Sequence, residues 1–178
     1  MTPDHNPDFT FRPLIRSDLP LLCDWLNRPH LQQCWRRGEI TLSEVEDKYL
    51  PRVIGDDDAR PFLAYLDDQA VGYIQYYLVA EGSDDYWPDI PGSGVVGTDQ
   101  FLADGNQLGQ GLGTAMLSRF VEFLMQDLEL TEIRVDPLRD NIRAIRCYTK
   151  VGFLDDKEFT TPDGPSLLLI FKREDIIQ

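Results

Sequence analysis

Apolar positions along the chain follow two rhythms, and the changes between them predict the elements. Phe9-Thr10-Phe11-Arg12 alternates apolar and polar residues, the period of a half-buried strand. Strand-like segments follow at residues 61–66, 70–79, 95–102, 133–135, 153–160 and 166–172. The first two of these join through Asp67-Asp68-Gln69, and the last two form a hairpin. Helical spacing takes over at residues 18–27, where Leu19, Leu22, Trp25 and Leu26 share a face, Ser17 stands at the N-cap and Pro29 closes the element. Thr41 is placed to cap a second helix, with Leu42, Val45, Tyr49 and Leu50 on near-helical spacing. A third helix covers residues 111–126 and buries Leu112, Met116, Phe120, Phe123 and Leu124; a fourth covers residues 141–150. The order β-α-α-β-β-β-α-β-α-β-β describes one mixed α/β (α+β) domain over residues 1–178.

Composition narrows the classes. A hydrophobic fraction of 42% is globular rather than disordered. Seventeen basic against 31 acidic residues leave a net charge of −14, which argues against a nucleic-acid binder or a protein docked on an anionic membrane surface. No apolar run approaches the ~18 residues of a membrane span, and the polar start Met1-Thr2-Pro3-Asp4 is unlike a secretory signal. Cys23, Cys34 and Cys147 form no CxxC pair, which fits reduced thiols in the cytoplasm. With only His5 and His30 present, neither a metal site nor a Ser-His-Asp triad is expected. Monomer and homodimer both remain open.

Charge is unevenly placed. Residues 61–118 contain no Lys or Arg but carry Asp67, Asp68, Glu81, Asp84, Asp85, Asp89, Asp99 and Asp104. Between Arg134 and Lys150 the balance inverts, with Arg134, Arg139, Arg143, Arg146 and Lys150 against Asp136 and Asp140. This fits a solvated acidic surface with one basic helix, or a site that takes an anionic cofactor on one side and a cationic substrate on the other.

Gln107-Leu108-Gly109-Gln110-Gly111-Leu112-Gly113-Thr114 sits between a strand and a long amphipathic helix. Alternate glycines let backbone N–H groups approach a ligand, and the helix start adds donors and partial positive charge, a combination suited to pyrophosphate. No Lys precedes Thr114, as a Walker loop requires, and GxGxG differs from the GxGxxG of a Rossmann turn. The loop resembles the pyrophosphate loop of the GNAT N-acetyltransferases, Gln/Arg-x-x-Gly-x-Gly/Ala. Leu108 stands where that family prefers Gln or Arg, so the backbone cradle remains but one side-chain contact is lost. The segment Asn141 to Tyr148, followed by Val151-Gly152-Phe153, resembles the family's second signature. The resemblance implies a central mixed, mostly antiparallel sheet flanked by about four helices. It also implies acetyl-CoA as co-substrate, Asn141 beside the pantetheine arm and Tyr148 directed at the sulfur.

Trp25-Leu26-Asn27-Arg28, Lys48-Tyr49-Leu50-Pro51, Gly97-Thr98-Asp99-Gln100 and Thr160-Thr161-Pro162-Asp163-Gly164-Pro165 are in turn similar to segments of aminoglycoside 6′-N-acetyltransferases. That resemblance puts acceptor contacts on Trp35, Tyr49, Asp84, Trp87, Asp136 and Asp163, and the catalytic carboxylate on Asp99. It sets the backbone of Phe101 and Leu102 at the thioester. A polycation rich in hydroxyls needs separate carboxylates and flat aromatic faces, which these residues supply. Each has a plainer alternative: Asp84 as a loop solubiliser, Asp136 and Asp163 as turn-formers, and Trp35, Tyr49 and Tyr148 as core. Asp99 resists that treatment, since a carboxylate inside a strand is costly unless paired or working. Acetyl transfer to a polyamine or siderophore precursor, and acyl-CoA sensing without catalysis, are the competing functions.

Overall fold

The computed structural model describes residues 7–35, 38–79, 87, 93–127 and 129–176. Seven strands occur in the hydrogen-bonded order β1-β2-β3-β4-β5-β7-β6: β1 (Thr10–Pro13), β2 (Ala59–Leu66), β3 (Gln69–Leu78), β4 (Val95–Leu102), β5 (Glu132–Val135), β6 (Leu154–Thr161) and β7 (Gly164–Lys172). Five helices accompany them: α1 (Leu19–Leu26), α2 (Pro29–Cys34), α3 (Leu42–Ile54), α4 (Leu112–Asp127) and α5 (Ile142–Val151). Strands β1/β2, β5/β7 and β6/β7 pair antiparallel, while β4/β5 pair parallel across the α4 crossover. The backbone divides into two compact units, residues 1–76 with 100–113, and residues 77–99 with 114–178.

In the first unit, the apolar face expected of α1 is buried: Leu19, Leu22, Trp25 and Leu26 join Leu31, Val45, Tyr49, Leu63, Tyr73 and Phe101 in one core. The start of α1 departs from expectation. Ser17 makes no cap; residues Arg16–Asp18 form a 3₁₀ turn instead, and the Asp18 carboxylate accepts the Ile15 N–H at 2.9 Å. That carboxylate also takes both terminal nitrogens of Arg12, at 2.9 and 3.0 Å, geometry that a serine hydroxyl cannot offer. Pro29 does not close a helix but opens α2 at its first position, where its missing N–H costs nothing. Thr41 caps α3 as expected, with Glu44 completing a reciprocal box, and Gly55 ends it at φ 87°. The β2–β3 turn is tighter than expected, with Asp67 and Asp68 alone at φ 48° and 60°, the handedness a two-residue hairpin favours.

In the second unit, Met116, Phe120 and Leu124 of α4 are buried as expected. Leu112 and Phe123 are only half-buried, since they flank the inward stripe. Asn141 caps α5 by accepting the Ala144 N–H at 3.2 Å, and Gly152 ends it at φ 111°. The final hairpin turns at Pro162–Asp163, with Thr161 opposite Gly164, so β6 is shifted by one residue from the expected 153–160 and β7 starts two residues earlier than expected. The β4/β5 register covers Val95 to Gly97, and Asp99 stands two residues past its last pair, Gly97 with Arg134.

Candidate active site

The glycine loop begins with a 3₁₀ turn, Gly105–Gln107, whose first donor, the Asn106 N–H, is bound by the Asp104 side chain at 2.8 Å. The chain then swings through Gly109 at φ 76° and Gly111 at φ 86° into the start of α4. Among the described residues, and the flanking residues aside, no heavy atom lies within 4 Å of where a Cβ would stand at either glycine. The backbone is therefore approachable there, which is the steric condition for a phosphate cradle. Gly113 needs no special φ, and a Cβ there would meet only Leu102 Cδ1 at 3.9 Å. Gln110 braces the loop by donating to the Asn106 carbonyl at 2.6 Å.

Trp35, Tyr49, Tyr73 and Phe101 of the first unit form one packed set. Tyr73 stacks on Phe101 at 5.2 Å, Trp35 meets Phe101 edge-on at 4.9 Å, and Tyr49 meets Tyr73 edge-on at 5.8 Å. Tyr49 is 1% exposed and belongs to the core; Trp35, half-buried, keeps part of its ring at the surface. Core packing, the plainer alternative for both, is thus fully realised for Tyr49 and partly for Trp35.

In the second unit Tyr148 is 9% exposed and packs edge-on against Phe153 at 5.6 Å. Its hydroxyl is pushed well above the ordinary phenol value, first by burial and then by its acidic neighbours, Asp99 foremost. Asp99, inside β4, and Asp136, just past the end of β5, therefore both act electrostatically on one phenol, and both are half-buried. Asp163 is exposed at the tip of the β6–β7 hairpin. That tip is stiff: the Asp163 N–H donates to Thr161 Oγ1 at 3.2 Å, and Thr161 donates to the Gly164 carbonyl at 3.0 Å. The hairpin is also tied to the segment after Asp136. Leu167 N–H donates to the Pro137 carbonyl at 3.0 Å, and Arg139 N–H to that of Pro165 at 2.9 Å. Asp136 and Asp163 thus share one frame.

Trp87 is 3% exposed, packed among Leu168, Ile170, Tyr77, Val79 and Phe159. Asp84 lies outside the described residues. The basic segment needs correction, because charge along a strand is not charge at a surface. Arg134 is buried and bonds Glu132, two residues back on the same face, at 2.8 and 3.0 Å, and Arg139 pairs with Glu158 at 2.8 Å. Arg143, Arg146 and Lys150 remain exposed on α5. Sequence reasoning missed Gly97 as well. A Cβ there would clash with the Cζ, Cε2 and hydroxyl of Tyr77, which packs beside Trp87 at 5.9 Å. A lone glycine within a strand is the signal that marks such a close approach.

Comparison with known proteins agrees with this layout. Residues 15–161 match the family described as "Acetyltransferase (GNAT) domain". The chain is 40% identical over 171 residues to the aminoglycoside N(6′)-acetyltransferase type 1 of Klebsiella pneumoniae, covering 95% of this chain and 85% of that one. Among solved structures, AAC(6′)-Ib with coenzyme A and kanamycin superposes with TM-score 0.87 at 40% identity, covering 96% and 98% of the two chains. The same enzyme with parmomycin and acetyl-CoA gives 0.89 at 39% identity, covering 96% and 97%. The chain belongs to the GNAT acetyltransferase family and, within it, to the aminoglycoside 6′-N-acetyltransferases.

Proposed function

We propose that this protein transfers the acetyl group of acetyl-CoA to the 6′-amine of aminoglycoside antibiotics by direct attack in a ternary complex, and so confers resistance to them. Its relatives and structural neighbours bear that activity and those ligands in their names. Within the chain, the reading rests on the approachable backbone at Gly109 and Gly111, together with the half-buried Asp99 and Asp136 near the buried Tyr148.

The loop from Gln107 through Leu108, Gly109, Gln110, Gly111, Leu112 and Gly113 to Thr114 receives the pyrophosphate on backbone N–H groups, and Asn141 lies by the pantetheine arm. The acceptor amine arrives as ammonium and sheds one proton to water before it attacks. Once the C–N bond forms, the nitrogen is far more acidic, and Asp99 takes its remaining excess proton. Backbone N–H groups at Phe101 and Leu102 hold the developing oxyanion, a contribution of roughly 3 kcal/mol where such donors are lost. The C–S bond then breaks, and Tyr148 donates a hydrogen bond to the departing thiolate. Full transfer from Tyr148 would be uphill, because its hydroxyl is a weaker acid than a thiol of pKa about 8.5. Solvent completes the protonation of the thiolate. Asp84, Asp136 and Asp163 pair with the acceptor's ammonium groups. Trp35, half-buried, remains available as an acceptor contact, whereas Tyr49 and Trp87 are buried.

The reading treats residues 1–178 as one acetyltransferase domain; the family match runs through both compact units. It places the enzyme in the cytoplasm, in keeping with an odd number of cysteines and no CxxC pair. No helix among the described residues is long and apolar enough to cross a membrane. The test is a thiol-release assay with kanamycin, a 6′-hydroxy analogue and spermidine, with product mapping by mass spectrometry. Turnover of kanamycin acetylated at the 6′-nitrogen is expected. Equal turnover of the 6′-hydroxy analogue, or a preference for spermidine, overturns the assignment.

A further inference from the structure

We propose that His30 and Arg28, at the junction of α1 and α2, are positioning residues that set the acetyl-CoA loop in its binding conformation. The inference rests on the acetyl-CoA reading of that loop. His30 Nε2 lies 2.9 Å from the Leu102 carbonyl, and Arg28 Nη1 donates to the Ala103 carbonyl at 2.9 Å. A carbonyl can only accept, so His30 carries its proton on Nε2. The Ala103 N–H is taken in turn by the Val71 carbonyl at 2.9 Å. Both peptide planes that join β4 to the loop are therefore fixed, two carbonyls toward one helix corner and one N–H toward β3. The His30 ring also lies against the first loop glycine, since a Cβ at Gly105 would stand 3.2 Å from its Cγ and Nδ1.

Local sequence builds this corner. Pro29 holds Arg28 extended at φ −73° and ψ 139°, and the same turn of chain presents His30. Arg28 is steadied by Asp24 one helical turn back, at 2.8 Å. Beyond its base the loop is held from Gln110 to the Asn106 carbonyl and from Gln100 to the Gly113 carbonyl, with space left around Gly109 and Gly111. Its direction is inherited from where the chain leaves Ala103. A loop released at that point must be ordered by its ligand, which weakens binding, while the Leu102 N–H belongs to the preceding peptide plane, which these two contacts do not hold.

The experiment compares His30→Leu, His30→Gln and Arg28→Met in the full chain. CoA affinity is read by titration calorimetry, KM and kcat for acetyl-CoA and kanamycin by steady-state kinetics, and folding by thermal melts. His30→Leu should raise the CoA Kd and the acetyl-CoA KM by about five- to tenfold, the range for a lost hydrogen bond, with kcat within about twofold. His30→Gln keeps an amide N–H at similar reach and should restore most of the affinity. Should His30→Leu fail to fold, Arg28→Met removes only the donor to Ala103 and should raise the CoA Kd about threefold. The proposal is overturned by an unchanged CoA Kd in folded His30→Leu, or in Arg28→Met where the former does not fold. It is equally overturned by a His30→Gln protein that folds yet binds CoA as weakly as His30→Leu. Wild-type protein that binds CoA but acetylates no aminoglycoside would sink the functional reading and leave this one standing; wild type that binds no CoA sinks both.

Discussion

The glycine loop and the acidic frame are built on opposite plans. The loop offers backbone: Gly109 and Gly111 hold left-handed conformations with space around them, on a base held by Arg28 and His30. The frame offers side chains: Asp99 stands inside β4, Asp136 just past β5 and Asp163 on a braced hairpin, and their value lies in charge. The difference teaches where each part of the molecule should be sensitive. Removing charge without changing shape should cripple the frame and spare the loop. Adding a Cβ should do the reverse.

Asp99→Asn is the harshest test of that contrast. It keeps shape and hydrogen-bonding reach but removes the base, and should lower kcat by roughly 100-fold or more. Acetyl-CoA KM should hold. Near-normal kcat with a raised aminoglycoside KM would make Asp99 a binding carboxylate.

On the loop, Gly111→Val combines two effects, because φ 86° strains any β-branched residue whether or not a ligand is present. Gly113→Ala separates them. Its backbone is unstrained and the new methyl meets only Leu102 at ordinary contact distance, so the protein should fold as well as wild type. If the pyrophosphate sits on these N–H groups, acetyl-CoA KM should still rise by about tenfold while aminoglycoside KM does not move. Unchanged cofactor kinetics in folded Gly113→Ala would separate the loop from the cofactor.

Much of this was legible in the sequence where local chemistry acts alone. Thr41 with Glu44, Asn141 with Gly152, and the turn at Asp67–Asp68 announce their elements because caps and tight turns depend on a few adjacent residues. Helix α2 was not legible: six residues are too few to show a period, and Pro29 reads equally as a stop and as a first helical position. The site divided in the same way. The glycines and the asparagine–tyrosine spacing could be read directly. The burial of Tyr49 and Trp87, and the loss of Arg134 from the surface to Glu132, depend on partners that only folding supplies.

Tyr148 links charge to the frame's interior. Since burial and the nearby acids hold its proton on, the donor should persist across the working pH range. Tyr148→Phe should lower kcat by about tenfold, and neither protein should lose activity on the alkaline side below about pH 10 through this group. An alkaline limb in wild type that vanishes in the variant would mean that the phenol ionises within range. Asp163→Asn should act more mildly, raising aminoglycoside KM several-fold with little change in kcat, because an exposed carboxylate binds ground and transition states alike. Its effect should shrink at high salt, where screening already weakens the pair. A salt-independent loss would point to a role other than charge.

The smallest expected effect is also the most direct probe of the loop's plan. Leu108 stands where related loops prefer Gln or Arg, and its side chain is half-buried beside the open turn at Gly109. If the cradle works through main-chain donors, a cation added at this edge gains only a partly solvated pair with the pyrophosphate. Leu108→Arg should then lower acetyl-CoA KM by about two- to threefold at low salt, and by less at high salt. Leu108→Ala, which adds no charge, should shift it by less than about twofold. Both changes leave Gly109, Gly111 and Gly113 in place, so neither alters the backbone. A tenfold gain on Leu108→Arg that survives high salt would show that side chains share the recognition of the phosphates, and the contrast between loop and frame would have to be given up.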